Sequence, residues 1–413
     1  MSPILLRNAR VFDGVLGDCA EGMEILVEKG SIKEVSDKPI AIRDADVIDV
    51  GGRTLMPGLI DAHIHAYFSH VNWREADRAG QAYRTAHAVR MLRFALNCGF
   101  TTVRDVGGGD YGLWRAIEDR LIAAPRFLYA GKMISMTGGH GDTRAMHESQ
   151  HSEGYCSCGE SNALNVIADG VEACVKAVRE QLRLGAHCIK IMASGGVASP
   201  TDPIWMNQYR EDEIRAIVNE TAERRTYTSA HCHPASAIKR CAEYGVRVIE
   251  HGTLIDDETA RFLAERGCYV VPTLAILHAL NERGHELGLL PASQEKIKSV
   301  FRFALEGLES MRKAGVKIGL GTDLIGDTYV QQCREFAIRR DVFSPLEILR
   351  QATSINASLL QKDGELGCIK AGAHADLIVV DGDPLRDIML LAANGQSLRL
   401  IMRAGELIRN ELR

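Results

Sequence analysis

Between residues 58 and 363 the chain repeats one pattern: a short apolar run, a turn, then a longer amphipathic stretch. Apolar runs of strand length fall at 58–65, 100–106, 127–135, 188–193, 227–231, 246–251, 269–273 and 316–322. Between most of them lie stretches with helical periodicity, at 85–96, 171–184, 211–224, 235–243, 257–266 and 298–314. Strands that alternate with helices pair in parallel, and eight such units predict an α/β fold closed as a (β/α)8 barrel of the TIM type. At 413 residues the chain is long enough for such a barrel, roughly 250 to 300 residues, with a smaller domain beside it. The longest irregular segments, 139–165 and 279–293, are the candidate active-site loops.

The flanks read differently. Residues 1–57 contain short strands at 4–8, 11–13, 23–28, 31–35 and 47–50, punctuated by Gly14, Gly17, Gly30 and Gly51-Gly52. The last fifty or so residues follow the same style, with strands within 375–384, 398–403 and 406–409. Two strand-rich ends predict one small β-sandwich built from both termini, 1–57 with 364–413, leaving 58–363 as the barrel.

The bulk chemistry excludes several classes of partner. Lys and Arg number 49 against 54 Asp and Glu, a net charge of −5 with no long basic run, so nucleic-acid and acidic-membrane binding are not expected. No window approaches a membrane-spanning apolar length, and the N-terminus lacks signal-peptide character, which reads as cytoplasmic. Eleven scattered cysteines predict reduced thiols rather than a disulfide framework. Cys156-Ser157-Cys158 has no second pair at zinc-finger spacing and reads as loop thiols. A small-molecule substrate is expected.

In a (β/α)8 barrel the working groups sit at the C-terminal ends of the strands. His63 and His65 end the first strand, and the period of two puts both imidazoles on one face. Lys190 lies in the fourth, His231 in the fifth, His251 at the end of the sixth, and Asp323 just past the eighth. Taken singly, each has an ordinary reading as a core histidine, a snorkelling lysine or a capping aspartate. Together, at successive strand ends, they read as metal ligands. Lys190 sits in the apolar run Cys188-Ile189-Lys190-Ile191-Met192, where a free ammonium would cost several kcal/mol. Two resolutions are open: an ion pair with a carboxylate on a neighbouring strand, or a lysine of lowered pKa that takes up CO2 as a carbamate able to bridge two metals.

This ligand pattern resembles the amidohydrolase superfamily, as do Pro57-Gly58-Leu59-Ile60-Asp61, Ile249-Glu250-His251-Gly252, Ala375-Asp376-Leu377-Ile378-Val379 and the flanking β-domain. The run from Lys190 through Gly195-Gly196 to Asp202-Pro203 is similar to the Xaa-Pro dipeptidase (prolidase) and carboxypeptidase branch near imidazolonepropionase, and so are 135–142 and Val270-Val271-Pro272-Thr273-Leu274. The resemblance implies two divalent ions, with zinc expected, held by His63, His65, Lys190, His231, His251 and Asp323, and with Lys190 carboxylated by CO2. It also implies that Asp323 acts as acid and base, that His140 polarises the scissile carbonyl, and that the assembly is a homo-oligomer. The expected function is cleavage of a dipeptide or N-acyl amino acid next to a free C-terminal carboxylate.

Two positions depart from the proline-specific pattern. His233 stands where those members carry a tyrosine that holds the substrate carboxylate, and Ala275-Ile276-Leu277-His278 differs from the proline-pocket loop. His233 can still donate to a carboxylate. Amide hydrolysis is therefore implied without proline being fixed as the residue released, and N-acyl aromatic amino acids fit as well. Other readings are a cyclic-amide hydrolase such as imidazolonepropionase, a heterocycle deaminase, and a non-enzymatic scaffold. Single-metal deaminases usually lack the strand-four lysine, so Lys190 counts against that reading, and loss of ligands would signal a scaffold, whereas none of the six is missing.

Overall fold

The computed structural model describes residues 2–144, 163–199 and 202–412. Cys156-Ser157-Cys158, Pro200, Thr201 and the greater part of the 139–165 loop lie outside the described residues.

Parallel strands dominate the middle of the chain. One seven-stranded sheet runs in the order Asn165–Ile167, Met133–Ser135, Ile189–Met192, Thr228–Pro234, Val248–Leu254, Tyr269–Val271, Lys317–Ile318. A second sheet of three parallel strands is formed by Leu59–Ile64, Phe100–Asp105 and Arg126–Tyr129. Its first strand also meets the segment after Lys317–Ile318: Ala62 N–H donates to the Leu320 carbonyl at 2.9 Å, and Thr322 and Asp323 N–H donate to the His63 carbonyl at 3.1 and 2.8 Å. Several of these strands are buried along their whole length, which is why they read as continuous apolar runs rather than alternating ones.

Helices pack outside the strands, and their ends follow local chemistry. Asp256 accepts from the Thr259 N–H at the start of Asp257–Arg266, and Gly267 ends that helix at φ 66, a left-handed conformation that costs glycine little. Among the described residues no helix is long and apolar enough to cross a membrane.

Both termini join one eight-stranded sheet. Leu377–Val380 pairs antiparallel with Thr54–Pro57 on one side and with Leu398–Arg403 on the other, while Ile4–Val11 pairs with Ala20–Glu28, Asp46–Asp49 and Thr54–Pro57. Its own core is a cluster that includes Leu6, Ile25, Val27, Leu55, Leu377, Val379, Leu400 and Met402.

Four expectations from the sequence need correction. The run 127–135 is two strands, because the chain turns at Gly131 (φ 74) to let the Gln181 amide oxygen accept from Lys132 N–H. The 316–322 run is regular only over Lys317–Ile318. The 298–314 stretch is two helices, Pro291–Phe301 and Ala304–Ala314; the first docks Ile297 on a cavity, while the second lays Gly307 close under the Thr253 carbonyl. Finally, 279–293 is not a loop, since helix Leu274–Arg283 fills its first part. That helix is buried on nearly every side, so it carries no amphipathic signal.

Asp376 fastens the terminal sheet to the parallel strands. It is 5% exposed, accepts from Ala404 N–H at 2.6 Å, and faces Arg126 Nη2 at 3.3 Å. Asp376→Ala removes both bonds and leaves a part-buried guanidinium behind. The urea midpoint is expected to fall by the equivalent of about 1.5–3 kcal/mol, followed by circular dichroism.

Candidate metal centre

His63, His65, Lys190, His231, His251 and Asp323 all come to one place. Lys190, His65, His231, His251 and Asp323 line one cavity, with His140 and His233 beside them, and His63 sits at its floor against Asp323. His63 Nε2 and His65 Nε2 are 3.3 Å apart, and each is 3.1 Å from Asp323 Oδ1. Donors placed ~2.0–2.1 Å from a common ion at tetrahedral angles would be spaced by ~3.3 Å, so the triangle has the size a divalent ion needs. His63, His251 and Asp323 also offer ligand atoms within 4.8 Å of one another.

The far side of each imidazole is held by another group, which decides the nitrogen left for a metal. His63 Nδ1 lies 2.7 Å from Glu250 Oε2, His65 Nδ1 3.3 Å from the Gly107 carbonyl, and His251 Nδ1 2.8 Å from Thr273 Oγ1, so all three present Nε2. His231 is reversed: its Nε2 lies 3.3 Å from the Gly195 carbonyl, which leaves Nδ1. Burial pushes the pKa of His231 and His251 well down, so both are neutral imidazoles, the ligating form. Burial and Lys190 oppose charge on His63, but Asp323 and Glu250 outweigh them and raise its pKa. Burial would raise the Asp323 pKa, yet His63 and His65 hold it far below the usual carboxylate range.

Lys190 is 1% exposed, and burial lowers its pKa. Among the described residues no hydrogen-bond partner reaches its Nζ. The carboxylate of Glu250, two strands away across Thr228–Pro234, is engaged elsewhere: by His63, by Arg104 Nη2 at 2.7 Å and by Ser229 Oγ at 2.5 Å. A buried amine of lowered pKa with no bonded partner fits a carbamate better than a direct ion pair.

Backbone strain concentrates here. His251 (φ 68), inside strand Val248–Leu254, and Thr273 (φ 51) and Asp323 (φ 55), beyond the next two strands, are all left-handed, a conformation that non-glycine residues keep only where the surroundings enforce it. Gly321 and Gly196 are needed for room. A Cβ on Gly321 would fall 2.8 Å from His63 Cβ, and one on Gly196 would fall 2.2 Å from the His140 ring.

His140 stacks on His231 with centroids 4.3 Å apart and leans on Trp73 at 4.8 Å. Its Nδ1 is held by Ser199 Oγ at 2.8 Å and Asp202 Oδ2 at 3.0 Å. His233 stacks on His251 at 5.1 Å; its Nδ1 lies 3.1 Å from Thr253 Oγ1, and burial lowers its pKa to about 3. The rest of the cavity is apolar: Trp73, Met192, Val197, Ile276, Leu280, Ile297 and Ile325 are among its lining.

Sequence reasoning missed the supporting groups Glu250, Arg104, Thr273, Ser199 and Asp202. Glu250 could have been found, since an acid inside Val248-Ile249-Glu250-His251 breaks an apolar strand just as Lys190 does.

Comparison with known proteins places the site in a family. A family model described as the amidohydrolase family matches residues 54–407. The ochratoxinase of Aspergillus niger is 32% identical over 349 residues, 81% of this chain and 71% of that protein. A crystal structure of an amidohydrolase superposes with a TM-score of 0.97 at 47% identity over 100% of both chains. A prolidase in complex with N-methylphosphonate-L-proline superposes with a TM-score of 0.95 at 42% identity, over 99% of this chain and 100% of that one. These neighbours carry the TIM-barrel type of amidohydrolase fold.

Glu250→Gln should weaken metal binding by about 10- to 100-fold in competition with a chelator, because the charge that orients His63 is lost. The same change leaves Arg104 uncompensated and is expected to cost about 3–5 kcal/mol in urea unfolding.

Proposed function

Because the chain belongs to the amidohydrolase family and is a metal-dependent hydrolase of amide bonds, we propose that its substrates are dipeptides or N-acyl amino acids cleaved next to a free C-terminal carboxylate. The observation that carries this reading is the convergence of His63, His65, Lys190, His231, His251 and Asp323 on one cavity whose other walls are largely apolar. Trp73, Met192, Ile276, Leu280 and Ile297 suit an apolar acyl group or an aromatic residue as well as proline. The prolidase, by its name and its proline-bearing ligand, supports the proline end of that range.

Two divalent ions, zinc in our reading, would be held by His63, His65, Lys190, His231, His251 and Asp323. The neutral Lys190 amine would add to CO2, forming an N–C bond and losing one proton to water, to give a carbamate whose two oxygens share one negative charge. When bound, the ions supply Lewis acidity and bring the pKa of water from ~15.7 toward ~7. Asp323, ionised at neutral pH, accepts the proton of the attacking water at its carboxylate and delivers it to the leaving nitrogen. His140 donates toward the carbonyl oxygen as charge develops there. Thr253 can donate its hydroxyl proton to His233 Nδ1, which leaves an Nε2–H to bind the substrate carboxylate.

The architecture we assign has two domains: 58–363 as a closed (β/α)8 barrel, and 1–57 with 364–413 as a small β-sandwich. The bonds between Ala62, His63 and residues 320–323 support closure, and the separate core around Leu6 and Leu400 supports the second domain. Nine free cysteines among the described residues support a cytoplasmic location, and family resemblance supports a homo-oligomer.

Turnover is tested by supplying zinc and screening dipeptides and N-acyl amino acids varied at the C-terminal residue. Release of proline or an aromatic amino acid is expected, and hydrolysis of cyclic amides alone would overturn the assignment. Lys190→Ala should lower the metal content below two ions per chain and reduce kcat by about 100-fold or more. His233→Phe should raise KM for substrates with a free carboxylate by about 10- to 100-fold, the worth of a charge-assisted hydrogen bond, and leave the corresponding amides unaffected.

A further inference from the structure

His140 takes its orientation from a loop that a distant lysine holds in place. Both partners of His140 Nδ1, Ser199 and Asp202, belong to the segment that follows strand Ile189–Met192. The same segment brings Gly196 against the imidazole so closely that a Cβ there would overlap its ring. From outside, Lys296 on helix Pro291–Phe301 donates to three carbonyls of this segment: Gly196 at 2.9 Å, Ser199 at 2.7 Å and Asp202 at 2.6 Å. Those bonds use all three ammonium protons. The ammonium also lies 3.7 Å from Asp202 Oδ1. Asp202 is fully buried, and among the described residues Lys296 is the one lysine or arginine within ion-pair distance of it.

We propose that Lys296 is the positioning residue for His140, acting through Gly196, Ser199 and Asp202. This rests on the reading of His140 as the group that polarises the scissile carbonyl. Lys296 itself does not line the cavity, whereas its neighbour Ile297 does. Its effect on the reaction must therefore pass through the segment it clamps. Ser293, one turn earlier, adds a bond from Oγ to the Ala198 carbonyl at 3.4 Å, so the helix meets the segment at two points. Misplacing a reacting group by about 1 Å can cost about 100-fold in rate, so a side chain outside the cavity can matter this much.

The test compares Lys296→Met and Lys296→Arg in the zinc-loaded enzyme. Lys296→Met is expected to lower kcat by about 10- to 100-fold with KM and metal content little changed. Lys296→Arg, which keeps the charge and the donors, should recover most of the loss. In a His140→Asn background, Lys296→Met should cost less than about 2-fold, because a misaimed group that is already gone cannot be lost again. A merely structural lysine would give additive losses, and that result would overturn the proposal. A second readout needs no substrate: the 15N and 13C resonances of the His140 ring should shift in Lys296→Met. Unchanged resonances would overturn the role of Lys296, whereas a wild-type enzyme that cleaves no amide while the resonances shift would count against the proposed function alone. If Lys296→Met does not fold, the same resonances in Lys296→Gln, which loses the charge and two of the three donor bonds, decide: a shift supports the clamp, and no shift rejects it.

Discussion

One buried carboxylate holds the centre together. Glu250 accepts from Arg104, Ser229 and His63, three groups on three other strands, and all of them are out of contact with solvent. An isolated charge at that depth would be costly, as would the Arg104 guanidinium beside it. Pairing makes both tolerable, and the same contacts fix where His63 points. Arg104 Nε in turn donates to the Ala62 carbonyl at 2.5 Å, so the strand that carries both metal-facing histidines is tied to the second and sixth strands at once. The balance of charge is visible in the acid itself: burial would raise its pKa, yet Arg104 and His63 hold it far below the ordinary carboxylate range.

Around that anchor, the ligand-bearing strand ends trade backbone comfort for convergence. The left-handed residues His251, Thr273 and Asp323 turn their chains sharply, the first inside its strand and the other two beyond theirs, which brings side chains from three strands inward together. Each has a bonded neighbour that enforces the geometry. His251 and Thr273 share a side-chain bond, and Asp323 is held through its N–H on the His63 carbonyl. Strain of this kind persists only where the surrounding structure over-determines it, and here the surrounding structure is the cage itself.

Much of this was legible in the chain before its coordinates. The eight apolar runs, the helices between them and the strand-rich ends follow from periodicity, and the six candidate ligands follow from polar side chains that recur where such strands end. Lys190 was conspicuous because an apolar strand has no use for an unpaired ammonium. What periodicity could not see was anything buried on every face. Helix Leu274–Arg283, apolar nearly all round, looked like a loop after a strand, and the turn at Gly131 hid inside what read as a single strand.

The sequence by itself determined the class of fold, the set of candidate ligands and the chemistry they can support, because those depend on residue type and on local spacing. Only the tertiary structure decided which imidazole nitrogen faces inward, which carboxylate is free to act, and what aims His140. Glu250 lies 187 residues from His63, and Lys296 lies 94 residues from the Asp202 carbonyl it grips. Contacts at such separations leave no local pattern in a chain. They exist only once the strands and helices have packed.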